Sequence, residues 1–154
     1  FYVRLPDDAR LSPWIEDNMP ELLRICRSEM ALDVSEVDAR LADLVAQVNV
    51  PGGEDKRRPL LAGNSIHADW RLAQRFLPRF MRLLHYRHLD VTALKIQWQD
   101  WRQGPEFDKD DMSELRAHLP GPKDLLDGRR HDAYYDVLAS IAELNYYRHQ
   151  FLAK

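Results

Sequence analysis

The sequence predicts an α/β domain, helices layered around a mixed sheet in a three-layer arrangement, and three observations predict it. Leu60-Leu61-Ala62 and His88-Leu89-Asp90-Val91 read as short strands. Each is followed by a stretch whose apolar residues recur at helical spacing, and alternation of that kind belongs to sheets covered by helices. Size is the third: 154 residues, 45% of them hydrophobic, suffice for one core, so 1–154 is expected to be a single domain.

Taken in order, Phe1-Tyr2-Val3-Arg4-Leu5 reads as a strand entered part-way rather than as a signal or transit peptide, with an upstream portion expected to have been removed. Pro13-Trp14 with Glu16 and Asp17 opens a helix whose Leu22, Leu23 and Ile25 form an apolar face. Asp33 and Glu36 have capping-box spacing, and Val34, Val37, Leu41, Leu44, Val45 and Val48 continue as a helical stripe. Pro51-Gly52-Gly53 ends that helix, and Glu54-Asp55-Lys56-Arg57-Arg58 is read as a solvated loop. Leu60-Leu61-Ala62 is a buried strand running into Gly63-Asn64-Ser65, and Trp70, Ala73, Leu77, Phe80 and Leu84 share one side of the next helix. His88 to Val91 is a second strand, leading to a helix over 92–101. Residues 103–130, rich in Gly, Pro, Asp and Lys, are read as a surface loop with one helical turn, and long loops are often functional. The last helix runs from Ala133 to Phe151 with Val137, Ile141 and Leu144 facing inward. No internal repeat or low-complexity segment interrupts the pattern.

Composition excludes several function classes. With 22 basic and 25 acidic residues the net charge of −3 provides no global basic field, so any nucleic-acid contact is local. The single Cys26 rules out an internal disulfide and a cysteine-built zinc site, and fits a reducing intracellular compartment, cytoplasmic or mitochondrial. No apolar run approaches the ~20 residues of a membrane span, so no membrane partner is expected.

The residues that carry chemistry are few. Asp69 follows the strand-ending loop 63–68, and α/β sheets place ligand sites just past strand ends, although a helix-start Asp is more often a cap. His131 precedes Asp136 by five residues. Five helical steps would set two side chains about 140° apart, so His131 has to lie in the loop before the helix for both to reach one site. Gly128-Arg129-Arg130 permits that placement.

Together, the segment Pro59 to Asp69 (PLLAGNSIHAD), the run Leu84 to Thr92 (LHYRHLDVT), and His131-Asp132-Ala133-Tyr134-Tyr135-Asp136 leading to Ser140-Ile141-Ala142-Glu143-Leu144 resemble the oligoribonucleases in residues, order and spacing. The likeness is strongest over 59–101 and 131–148, and Trp14 falls on a tryptophan of that family. The resemblance implies a ribonuclease H-like fold and a DEDDh 3′→5′ exoribonuclease that degrades RNA of two to five nucleotides. It implies two divalent ions, magnesium or manganese, held by an Asp-x-Glu pair from an early strand and by Asp69 and Asp136, with His131 as general base. Two cations suit such hydrolysis, and a histidine suits proton removal from water. On the substrate side it implies Trp14 stacking near the terminal bases, Ser65 contacting phosphate with Asn64 and Thr92 beside it, and Tyr86-Arg87 reaching across a homodimer to cap the 5′ end. Short single-stranded RNA would be gripped without base reading.

The sequence also departs from the pattern. Met19 stands near an expected histidine, Ala93 at a usual threonine, Tyr135 where a second Asp is common, and Asp124-Leu125-Leu126-Asp127-Gly128 replaces a lysine-rich stretch. No Asp-x-Glu strand precedes Phe1. The resemblance makes this chain the C-terminal three-quarters of such an enzyme, lacking a central strand, and a chain without it should fold poorly alone and lack activity. Either about fifty residues are cut or supplied separately, or the protein is a degenerate relative serving as a structural or RNA-binding part of a larger assembly. Retention of Asp69, His131 and Asp136 favours the first. A third reading, a nucleotide sensor without cleavage, would be excluded by metal-dependent release of mononucleotides.

Overall fold

Prolines decide how the helical stretches are cut. Pro20 cannot donate a helical hydrogen bond, so in the computed structural model the first expected helix is two, α1 (Pro13–Asn18) and α2 (Pro20–Cys26), with Met19 between them at φ −131°. Pro78 acts likewise, dividing the expected helix beyond Gly63 into α4 (His67–Phe76) and α5 (Pro78–Leu83). The structure describes residues 1–48, 58–121 and 133–152. It comprises two units, Phe1–Pro59 with Trp70–His85, and Leu60–Asp69 with Tyr86–Lys154.

In the first unit the opening residues are extended but make only an isolated parallel bridge, Val3 with Leu32, rather than a strand. Two backbone bonds of 2.8 Å, from Arg4 N to the Leu32 carbonyl and from Leu32 N to that of Tyr2, hold it. Arg4 also takes the Asp33 carboxylate at 3.0 Å, so the expected capping box at the start of α3 (Val34–Gln47) does not form. Glu36 pairs with Arg40 along the helix instead. The apolar stripe of α3 is buried at Val37 but exposed at Val34, Leu44 and Val48.

Helix α3 packs on α5, and one carboxylate organises the contact. Asp38, 3% exposed, accepts from the backbone N–H of Arg79 at 3.0 Å and of Phe80 at 2.8 Å. Those are two of the donors that a helix start leaves unpaired, and no side-chain cap comes from Leu77, the residue before α5.

In the second unit, β1 (Leu61–Gly63) pairs with β2 (His88–Asp90) in parallel, Leu61 opposite His88 and Gly63 opposite Asp90. The α/β class holds, while pairing among the described residues is parallel throughout rather than mixed. β1 is not the buried strand expected: Leu60 is 50% exposed and Ala62 is exposed, since the described partner of β1 is β2 alone. After β2 come α6 (Val91–Gln97) and a π-helical turn, Trp98–Arg102, closed by Gln103 in the left-handed region at φ 48°. The next residues fold over Trp98, whose indole donates to the Pro105 carbonyl at 2.9 Å. A Cβ on Gly104 would lie 2.0 Å from that ring, so the backbone needs glycine to pass so close.

The stretch after 103, expected to be a surface loop, contributes to the core instead. It carries α7 (Met112–His118), and Phe107, Leu115 and Leu119 are buried with Trp98 against α8 (Ala133–Leu152). The face of α8 is also corrected. Tyr135, Leu138, Ala139, Ala142, Tyr146 and Tyr147 are buried, whereas Val137 and Ile141 are 56% and 37% exposed. The helix is apolar on two sides, and burial selects the side with the larger aromatic surface. Residues 51–57, Asp124 to Arg130, and His131 lie outside the described residues. Among the described residues no helix is long and apolar enough to cross a membrane.

Asp38→Ala should lower the urea-unfolding free energy by about 1–3 kcal/mol, because the two α5 amides lose their acceptor. Asp38→Asn, which keeps one acceptor oxygen, should cost less than half of that.

Candidate active site at the strand ends

Two parallel strands end together, and the backbone after each has to turn. Asp90 ends β2 and caps α6, accepting from Thr92 N at 2.9 Å through the same Oδ1 that accepts from Ser65 N at 3.0 Å. Thr92 Oγ1 takes the Ser65 amide as well, at 2.9 Å, and the two hydroxyl oxygens are 3.4 Å apart. This doubled acceptor holds Ser65 at φ 50°, a left-handed conformation unusual for a residue with a side chain. The sharp turn between β1 and α4 depends on it, and α4 then presents Asp69 in its first turn.

Asn64, next to that turn, is held from the other side. Its Nδ2 donates at 2.8 Å to Oε2 of Glu143, a carboxylate on α8 that is only 1% exposed. Lys109 Nζ reaches the same oxygen at 2.7 Å. A buried carboxylate needs donors of this kind, and here they come from two separate segments. The buried phenol of Tyr147 is pushed well above its usual range, by burial first and then by the neighbouring Glu143 charge.

A cleft of ≈ 740 Å³ opens at this end of the second unit. Asp69 from α4 and Asp136 from α8 both line it, as do Asn64, Lys109, Asp110 and Ser140, with Leu61, Val137 and Ile141 supplying apolar wall. The exposed face of α8 is thus a wall of the cleft. The structure brings Asp69, Asp136 and Asn64 to this cleft, and places Ser65 and Thr92 together at the β1–α4 turn. Tyr86 and Arg87 precede β2 and are not among the lining residues. Tyr86 is 71% exposed, and the Arg87 guanidinium lies over its ring, 5.4 Å from the centroid. Trp14, on α1 and 52% exposed, belongs to the first unit, and His131 lies outside the described residues.

Asp69 and Asp136 are exposed hard-oxygen donors, the type that magnesium and manganese prefer. Among the described residues no group of three or more His, Cys, Asp or Glu is placed to hold a metal ion, so this pair fits as part of a ligand set. Sequence reasoning missed Glu143, Lys109 and Asp90 as site-building residues. Asp90 carries a local signal, an Asp two residues before a Thr at a strand-to-helix junction. Glu143 becomes legible only once the buried side of α8 is known.

No family model matches the chain. Individual proteins do. It is 35% identical over 97 residues to a protein of Chromobacterium violaceum named oligoribonuclease, covering 63% of this chain and 45% of that one. Against the oligoribonuclease of Coxiella burnetii the identity is 39% over 92 residues, 60% of this chain and 42% of the relative. Against that of Neisseria meningitidis serogroup B it is 32% over 118 residues, 77% and 52% respectively. The chain spans about half the length of the curated relatives it matches. Over the stretch it shares with them, the chain is similar to proteins named oligoribonuclease.

Proposed function

We propose that this chain is part of a 3′→5′ exoribonuclease domain of ribonuclease H-like, three-layer fold that shortens RNA of two to five nucleotides to mononucleotides. The observation that carries the reading is the meeting of Asp69 and Asp136 on one cleft at the carboxyl end of a parallel strand pair, in a chain related to proteins named oligoribonuclease.

In this reading Asp69 and Asp136 hold two divalent ions, magnesium or manganese, together with an Asp-x-Glu pair that is not among the residues of this chain. Such ions, when bound, acidify water and offset charge on the departing oxygen. His131 takes the proton of the attacking water, the bond from phosphorus to the 3′ oxygen breaks, and a nucleoside 5′-monophosphate leaves. Ser65 and Asn64, set by the turn, meet the phosphate, with Thr92 behind Ser65, and Trp14 stacks on a base. A homodimer in which Tyr86 and Arg87 close the partner's pocket accounts for the preference for very short RNA, and the exposure of Tyr86 supports it.

One observation favours the second reading, a non-catalytic subunit that binds RNA or builds a larger assembly: the departures from the family pattern at Met19, Ala93, Tyr135 and Asp124-Leu125-Leu126-Asp127-Gly128. Activity of the full-length protein separates the two. With magnesium, a labelled RNA dinucleotide should be cut to mononucleotides, and Asp69→Asn or Asp136→Asn should abolish this while leaving the fold intact, both side chains being exposed. Absence of metal-dependent release from the unmutated protein would select the subunit reading.

His131→Ala should lower turnover by ~10²–10⁴ with little change in substrate binding, as for a positioned proton acceptor. A loss confined to binding would reassign His131 to a phosphate contact.

The dimer is tested with mixed subunits. Arg87→Ala on one subunit and Asp69→Asn on the other should place both defects in one pocket and leave the second at the unmutated rate per site. Both changes on one subunit should spoil both pockets. Equal activity for the two arrangements would remove the dimer from the proposal.

A further inference from the structure

The cleft that holds Asp69 and Asp136 is short of positive charge. Three carboxylates line it, those of Asp69, Asp110 and Asp136, and among the described lining residues Lys109 is the one cation. A fixed cationic side chain on such a wall attracts a phosphodiester in addition to any divalent ions that Asp69 and Asp136 would hold.

Lys109 is fixed at both ends by α8. Its carbonyl accepts from the Tyr135 hydroxyl at 3.4 Å, and its ammonium lies 2.7 Å from Glu143 Oε2. Tyr135 is 8% exposed and Glu143 1% exposed, so both anchors are set in the core on either side of Asp136. The lysine side chain itself is 40% exposed. An ammonium has three donor hydrogens, so the contact with Glu143 leaves two on a lysine that lines the cleft and whose side chain is already held before any ligand binds.

We propose that Lys109 is a substrate-contacting residue that binds a phosphate of the RNA within the cleft, with Glu143 as the positioning residue that aims it. This rests on the exoribonuclease reading for the identity of the ligand, and adds to it a contact from the 103–111 segment, which supplies none of the residues assigned above.

The experiment measures equilibrium binding of a fluorescent, 5′-phosphorylated RNA dinucleotide to the full-length protein carrying Asp136→Asn to stop cleavage, in magnesium, between about 50 and 200 mM salt. Lys109→Met should raise Kd about tenfold, the loss expected for a charge-assisted hydrogen bond. It should also flatten the slope of log K against log salt by about 0.7, one phosphate contact on a single strand. Lys109→Arg should keep the slope, and Glu143→Gln, which leaves the lysine charged, should keep it too while weakening affinity less. Because Lys109→Met strands a buried carboxylate, the double variant Lys109→Met with Glu143→Gln is measured beside it and should show the same flattened slope in a protein that melts near the unmutated temperature. An unchanged slope in both Lys109→Met proteins would overturn the proposal, reducing Lys109 to a structural partner of Glu143. Turnover is read separately on protein retaining Asp136. Binding without cleavage would defeat the exoribonuclease reading and leave the Lys109 test standing, whereas failure of the protein to bind RNA at all would defeat both.

Discussion

The carboxylate of Glu143 is the constraint on which the second unit's cleft depends. It sits on α8 at 1% exposure, where an unpaired charge would be untenable, and it is made tolerable by Asn64 from the β1–α4 turn and Lys109 from the 103–111 segment. Three stretches far apart in sequence are thereby tied at one oxygen. Asp136 lies seven residues before Glu143, two turns of the same helix, so the helix that bears one acidic group of the cleft also carries the bond that restrains the turn leading to Asp69.

The β1–α4 turn is held from its other side by equally specific means. Ser65 sits at a φ of 50° because its amide is shared between Asp90, the last residue of β2, and Thr92 in the first turn of α6. A parallel strand pair puts both carboxyl ends at one edge, so the cap of α6 and the turn into α4 are neighbours as a consequence of topology. The local strain is thus offset by hydrogen bonds that double as the α6 cap. In the first unit Asp38 follows the same logic, a buried carboxylate stabilised by helix-start amides rather than by a cation.

What sequence alone reached followed from short-range rules. The positions of β1 and β2, the existence of α3, α6 and α8, and the family likeness carried by 59–69, 84–92 and 131–144 were legible, because strand runs, capping positions and motif spacing are written locally. Asp69 and Asp136 were singled out from the family pattern, and both line one cleft, while their metal-binding role stays a proposal. The general-base role of His131 stays a proposal.

Tertiary structure decided the matters in which two local readings were equally good. Helix α8 is apolar on two faces, and periodicity cannot say that Tyr135, Leu138, Ala142 and Tyr146 go inward while Val137 and Ile141 wall the cleft. The residues after 103 look like a loop because Gly, Pro and Asp dominate them, yet Phe107, Leu115 and Leu119 reach the core once Gly104 lets the chain cross Trp98. Asp33 and Glu36 have capping-box spacing, but Arg4 and Arg40 compete for the two carboxylates and win by forming charged pairs. Lys109 and Glu143 are separated by 34 positions, 109 to 143, with no local pattern joining them. Their bond exists only because the fold buries the one and brings the other to it, and a sequence states which residues are present long before it states which of them share an environment without water.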